Sequence, residues 1–169
     1  DKDIDEDWSV DTSEAAVAER VKALEGKLTK AKNSYWASLV EAQRLGASAV
    51  ALHAEGRDEE AVKLALAAAD LEDSMDKHPA TPAAVLPARE LHADLLLELG
   101  NPAAALAEYE RALAANPHRF RSLLGIARAA RQADDPAKAR DAYQSLLALA
   151  SDADSDRPEL LEARSFLTN

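Results

Sequence analysis

Apolar residues recur every three or four positions through most of the chain, the spacing that lines one face of a helix. Val17, Val21, Leu24 and Leu28 predict a first helix over residues 14–31, with Asp11 and Glu14 set as a capping box at its start. Asn33 or Ser34 opens a second, in which Trp36, Leu39, Val40, Leu45, Ala49 and Leu52 run to the Glu55-Gly56 turn. Asp58, as N-cap, begins a third that carries Val62, Leu66 and Leu71 to about Lys77. The stretch 78–87 holds Pro79, Pro82 and Pro87, and a helix interior does not accept such prolines, so a loop is expected. A fourth helix is expected over about 84–99, stopped by Gly100. A fifth runs from Pro102 to the residue before Asn116-Pro117. The sixth and seventh cover about 119–133 and 136–150, and Leu160, Leu161, Ala163, Phe166 and Leu167 make a closing helix at 157–167. Residues 1–12 lack periodicity and read as a disordered acidic lead-in.

Seven to eight helices joined mostly by short turns imply antiparallel neighbours. A slide of 34 residues places Gly100 on Asp134, Pro102 on Pro136, Ala105 on Ala139, Tyr109 on Tyr143 and Leu113 on Leu147. A period of that size marks helix hairpins that cannot bury their apolar faces alone and therefore stack. The expected fold is all-α, a stack of antiparallel helix hairpins forming one domain over 13–169.

Composition strengthens this reading. Ala makes up about a quarter of the chain and aromatic residues only 4%, which favours helices and starves a sheet. With no Cys, disulfides, thiolate nucleophiles and Cys-based metal sites are excluded. More than half of the net charge of −11 lies in residues 1–14, where Asp1, Asp3, Asp5, Glu6, Asp7, Asp11 and Glu14 face only Lys2. The remainder is mildly acidic, against the basic surplus that phosphate backbones require, so nucleic acid is an unexpected partner. No apolar run is long enough for a membrane span. The chain starts at Asp1 without Met, which reads as a processed form or a fragment, and its composition fits cytoplasm or periplasm equally.

The chain resembles the tetratricopeptide repeat family. In a unit at 86–119, Ala93, Leu96, Ala105, Tyr109, Ala112 and Pro117 occupy the family's small, large, small, aromatic, small and proline positions. In a unit at 120–151, Leu123, Ile126, Ala127, Ala130, Ala139, Tyr143 and Leu146 match, with Ser151 in place of the proline. A degenerate unit at 42–75 retains Leu45, Ala49, Leu52, Gly56, Ala61 and Ala68, and is separated from the next by an insertion of about ten residues in the proline-rich stretch. Asn33-Ser34-Tyr35-Trp36, Lys77 to Pro82, Leu86 to Glu90 and Ser155 to Leu160 are similar to the C-terminal part of larger bacterial members of undefined role. That resemblance implies preceding repeats, no catalytic residues and no cofactor. It also implies that the stack is a right-handed superhelical stack of antiparallel helix hairpins, a noncatalytic scaffold that presents a concave groove to a peptide or protein.

The family's geometry lines the inner surface with the first helix of each hairpin. Mapped here, it offers Gln43, Gly46, Val50 and His53, then Glu90, Asp94 and Glu98, then Arg121, Gly125, Arg128 and Gln132. The spacings within Glu90, Asp94 and Glu98, and between Arg121 and Arg128, keep each set on one helical face. One reading has Arg121 and Arg128 gripping an acidic or C-terminal carboxylate, with Gly125 allowing close approach. The other is mutual neutralisation of an acidic and a basic stripe on adjacent helices. A chaperone-binding subset of the family uses a Lys and Asn clamp, whereas Glu90, Asp94, Gly125 and Arg128 stand at the matching positions, which disfavours that ligand.

An alternative function, a metal-binding or enzymatic accessory, places a site at Asp73, Asp76 and His78 beside the proline-rich loop, although no ligand spacing is met there. Asp1, Asp3 and Asp5 echo a calcium loop but lack its glycine and its final Glu. The apolar face of the first helix, Val17, Val21, Leu24 and Leu28, is a candidate surface for a homodimer.

Overall fold

The computed structural model describes residues 13–30, 34–75, 84, 86–153 and 156–168. These form eight helices: α1 Glu14–Lys30, α2 Ser34–Ala54, α3 Asp58–Asp73, α4 Ala88–Glu98, α5 Pro102–Ala115, α6 Phe120–Gln132, α7 Pro136–Leu149 and α8 Pro158–Thr168. There is no strand among the described residues. Each helix packs on its neighbours in the chain, and α2 with α4 and α4 with α6 also touch, so that alternate helices form one wall.

Three hairpin turns repeat one backbone solution. Gly56, Gly100 and Asp134 hold left-handed φ of 76°, 74° and 58°. After each, the next residue's N–H reaches back to the preceding helix: Arg57 to the Leu52 carbonyl at 2.9 Å, Asn101 to Leu96 at 2.9 Å and Asp135 to Ala130 at 2.9 Å. This double-back closes the helix by satisfying its last carbonyls. The next helix of the second and third hairpins then starts on a proline, Pro102 and Pro136, whose missing N–H costs nothing there.

The core follows the same register. Ala49, Ala93 and Ala127 are fully buried, as are Ala61, Ala105 and Ala139. Tyr109 and Tyr143 are equally enclosed, and Ala65 holds the corresponding place in the first hairpin. Small side chains at these crossings let helices approach closely, and each tyrosine fills the gap between its hairpin and the next. Among the described residues, Arg89 and Glu90 are buried with the core. Arg89, 3% exposed, ties α4 to α3 and α5 by binding Asp70 at 2.7 Å, Asp73 at 2.6 Å and Glu108 at 2.7 Å. Glu90 accepts from Arg119 Nε at 3.0 Å and Nη2 at 2.9 Å, and from the Ser122 hydroxyl.

Several expected boundaries shift. Arg57, not Asp58, is the N-cap of α3; Asp58 is its first helical residue. The third helix ends at Asp73 rather than near Lys77. The fourth begins at Ala88 rather than 84, because Pro87 caps it, its carbonyl accepting from Glu90 and Leu91. The Glu72 carboxylate crosses from α3 to accept the Ala88 N–H at 3.1 Å. The expected capping role of Asp11, the disordered lead-in and most of the proline-rich loop lie outside the described residues; Ser13 sits at the start of α1, its Oγ 3.4 Å from the Ala16 amide.

A non-glycine residue in the left-handed region costs about 1 kcal/mol. Asp134→Gly is therefore expected to raise stability by roughly 0.5–1 kcal/mol in urea denaturation. An unchanged or lower midpoint would contradict the equivalence of the three turns.

Candidate functional site

The wall formed by α4 and α6 bounds an open concavity of about 370 Å³. Asp94, Glu98, Arg121, Gly125, Arg128 and Gln132 all line it, as does Glu159 at the start of α8. Leu97, Leu124 and Tyr109 complete its lining, with Leu124 and Tyr109 almost wholly buried behind the polar side chains.

Glu90 does not belong to this surface. It is fully buried beneath the start of α6, and its carboxylate is committed to Arg119 and Ser122. The regular spacing that put it on a face with Asp94 and Glu98 is real, but its turn of helix is covered by another helix. Gln43 and Val50 are exposed on α2, Gly46 is buried, and none of these three lines the concavity.

The acidic and basic stripes meet directly. Asp94 pairs with Arg121, and the Tyr109 hydroxyl donates to the same carboxylate. Two turns further along the same face of α6, Arg128 forks onto Glu162 of α8, with Nη2 to Oε2 at 2.6 Å and Nε at 3.1 and 3.2 Å from the two oxygens. The Tyr143 hydroxyl donates to Glu162 Oε1 at 2.6 Å. Each groove arginine is thus held by a carboxylate that a core tyrosine holds in turn. Asp94, Arg128 and Glu162 fall one period apart, a column whose charge alternates along the stack.

The electrostatics follow from this geometry. Arg128 keeps the Glu162 carboxyl below the usual carboxylate range, with help from the Tyr143 hydroxyl and against partial burial. Burial, then the Asp94 carboxylate, pushes the Tyr109 phenol well above its ordinary value. Burial and Glu162 do the same to Tyr143. Arg121 and Arg128 remain 56% and 41% exposed, so both still face solvent across the concavity.

Gly125 has a different role from the one its position suggested. A Cβ there would lie 2.3 Å from Cε1 of Tyr109, so the missing side chain makes room for the tyrosine ring inside the protein rather than for an approaching partner. The sequence reading also missed Glu162, Leu97, Leu124 and the two hydroxyls. The repeat register, applied to polar as well as apolar positions, would have placed Glu162 under Arg128.

At the alternative site, Asp73 is bound to Arg89 and lies 4.0 Å from Arg111, while Asp76 and His78 lie outside the described residues. Among the described residues no group of three His, Asp or Glu side chains is arranged to hold a metal, and no helix is long and apolar enough to cross a membrane. On α1, Val17 and Leu24 are 37% and 48% exposed, Val21 is half-buried, and the Leu28 side chain lies outside the described residues.

Residues 91–156, from α4 through α7, match the tetratricopeptide repeat family. No curated protein matches the chain. Among solved structures, PcrH from Pseudomonas aeruginosa is similar with a TM-score of 0.58 at 19% identity, over 75% of this chain and 89% of that one. MamA 41-end from Desulfovibrio magneticus RS-1 is similar with a TM-score of 0.56 at 15% identity, over 89% of this chain and 91% of that one. At such identities the likeness is one of fold, an all-helical tetratricopeptide-repeat-like solenoid.

Removing the two hydroxyls with Tyr109→Phe and Tyr143→Phe is expected to cost about 1–2 kcal/mol each, since each donates to a charged acceptor. Because the folded phenols hold their protons above the ordinary value of 10.0, the unfolded chain releases protons first as pH rises. Stability should therefore fall above about pH 10, and fall less steeply in the double Phe variant. Equal slopes in urea melts across that range would contradict the hydroxyl geometry.

Proposed function

We propose that this tetratricopeptide-repeat stack is a noncatalytic protein-protein interaction scaffold, and that the concavity on α4 and α6 receives an extended or helical peptide segment bearing an acidic or C-terminal carboxylate. The observation that carries the reading is the lining of that surface, a mainly polar concavity in which two half-exposed arginines stand beside Leu97. Peptide grooves commonly combine apolar contacts with charged groups that set orientation.

Arg121 and Arg128 already have internal partners, and this shapes the expected chemistry. An incoming carboxylate shares or displaces Asp94 or Glu162 rather than filling an empty cationic site. Its contribution is therefore register and direction more than raw affinity. Apolar contact with Leu97 adds to it. The rigid elements supporting the site, Tyr109 and Tyr143 behind their carboxylates, fix the arginine positions before a partner arrives.

A photo-cross-linking residue at Gln132 on the concave wall, compared with one at exposed Gln144 on α7, tests the reading directly. The expected result is capture of one recurrent protein from Gln132 alone, lost when Arg121→Gln and Arg128→Gln are combined in a chain that keeps its helicity. Glutamine is the informative replacement, because Glu at these positions would face Asp94 and Glu162 and disturb the fold by repulsion. Equal capture from both positions, or capture indifferent to the two glutamines, would refute the proposal.

A further inference from the structure

His53 sits at the end of α2 with a carboxylate against each ring nitrogen. Its Nδ1 is 2.7 Å from Asp58 Oδ1 in the first turn of α3, and its Nε2 is 3.1 Å from Glu98 Oε2 at the end of α4. Carboxylates only accept hydrogen bonds, and a neutral imidazole has a single N–H to donate. The neutral ring therefore satisfies one partner and turns a lone pair toward the other. Only the imidazolium serves both. A metal ion cannot substitute, because the two carboxylates lie on opposite nitrogens and do not converge on a common point.

We propose that His53 is a proton-operated staple between the first and second hairpins. Protonated, it joins the α2–α3 turn to the end of α4; deprotonated, it keeps one carboxylate and releases the other. The site spans residues 45 apart in the chain and joins the α2–α3 turn to the end of α4. Glu98 also lines the concavity, so the same proton sets the charge at that end of the surface. The inference does not depend on the concavity having a partner.

The charged surroundings are simple. Asp58 comes from α3 and Glu98 from α4, while the adjacent Arg57 is engaged by Glu55 at 3.3 Å and Glu60 at 2.7 Å. The Asp58 carboxylate foremost, with Glu98 adding to it against some desolvation, holds the His53 proton above the ordinary imidazole value. A group whose folded value is raised stabilises the fold fully below its unfolded value and loses that contribution as pH rises through the folded one. The staple is thus closed in mild acid and opens as pH rises past the ordinary imidazole value and through the raised one.

NMR titration of the His53 ring in the intact chain, alongside Asp58→Asn and Glu98→Gln, reads the site without any ligand. Both substitutions lie at exposed or half-exposed positions and preserve side-chain size, and both are expected to lower the His53 midpoint. Amide hydrogen exchange, corrected for its intrinsic pH dependence, gives the mechanical readout. Protection at 97–101 should fall between about pH 5.5 and about pH 8.5 in the parent chain and stay level in His53→Gln. A His53 midpoint that ignores Glu98→Gln would overturn the proposal, as would protection at 97–101 that changes equally in the parent and in His53→Gln.

Discussion

Close approach of helices over alanine is the constraint on which this structure depends. Ala49, Ala93 and Ala127 from one wall and Ala61, Ala105 and Ala139 from the other are completely buried. An alanine buries little apolar area, so no single hairpin collects enough to stand alone. Stability accumulates only by stacking, each hairpin sheltering the next. The tyrosines show how tight the fit is. Tyr109 occupies the space that any side chain at Gly125 would need.

The same closeness explains the polar layer. Once Tyr109 and Tyr143 are wedged between hairpins, their hydroxyls must find acceptors, which Asp94 and Glu162 supply. Those carboxylates then fix Arg121 and Arg128. A packing solution in the interior thereby determines which charges stand in the groove and how firmly. Deeper still, Arg89 and Glu90 are buried charges with several partners each, drawn from helices on either side of α4. Removing a partner from such a group leaves an uncompensated charge, so these residues specify which helices meet more than they add to net stability.

Much of this was legible in the chain itself. The turns at Gly56, Gly100 and Asp134, the prolines that follow the last two, and the alternation of small and aromatic residues all have local causes, and local causes leave local patterns. The tetratricopeptide fold could be read from them. The concave wall was partly legible, since Asp94, Glu98, Arg121, Arg128 and Gln132 recur at helical spacing and do line it. Glu90 was not, because what buries it is Arg119 and Ser122, residues 29 and 32 positions away that periodicity within α4 does not register. Gly125 was misread for a related reason. A glycine on a groove-facing helix suggests access from outside, whereas here the close approach comes from Tyr109 within. The start of α4 was misplaced because Ala83 and Ala84 favour helix in isolation, while Pro87 and the Glu72 carboxylate decide where the helix is capped.

Mutual shelter between neighbouring hairpins is tested most directly by ending the chain at Ala153, which removes α8 with its fully buried Leu160 and Ala163 and the Glu162 that anchors Arg128 and Tyr143. Residue-resolved hydrogen exchange should then show α6 and α7 losing protection while α4 and α5 largely retain theirs. Uniform loss across every helix, or undiminished protection in α7, would contradict the account.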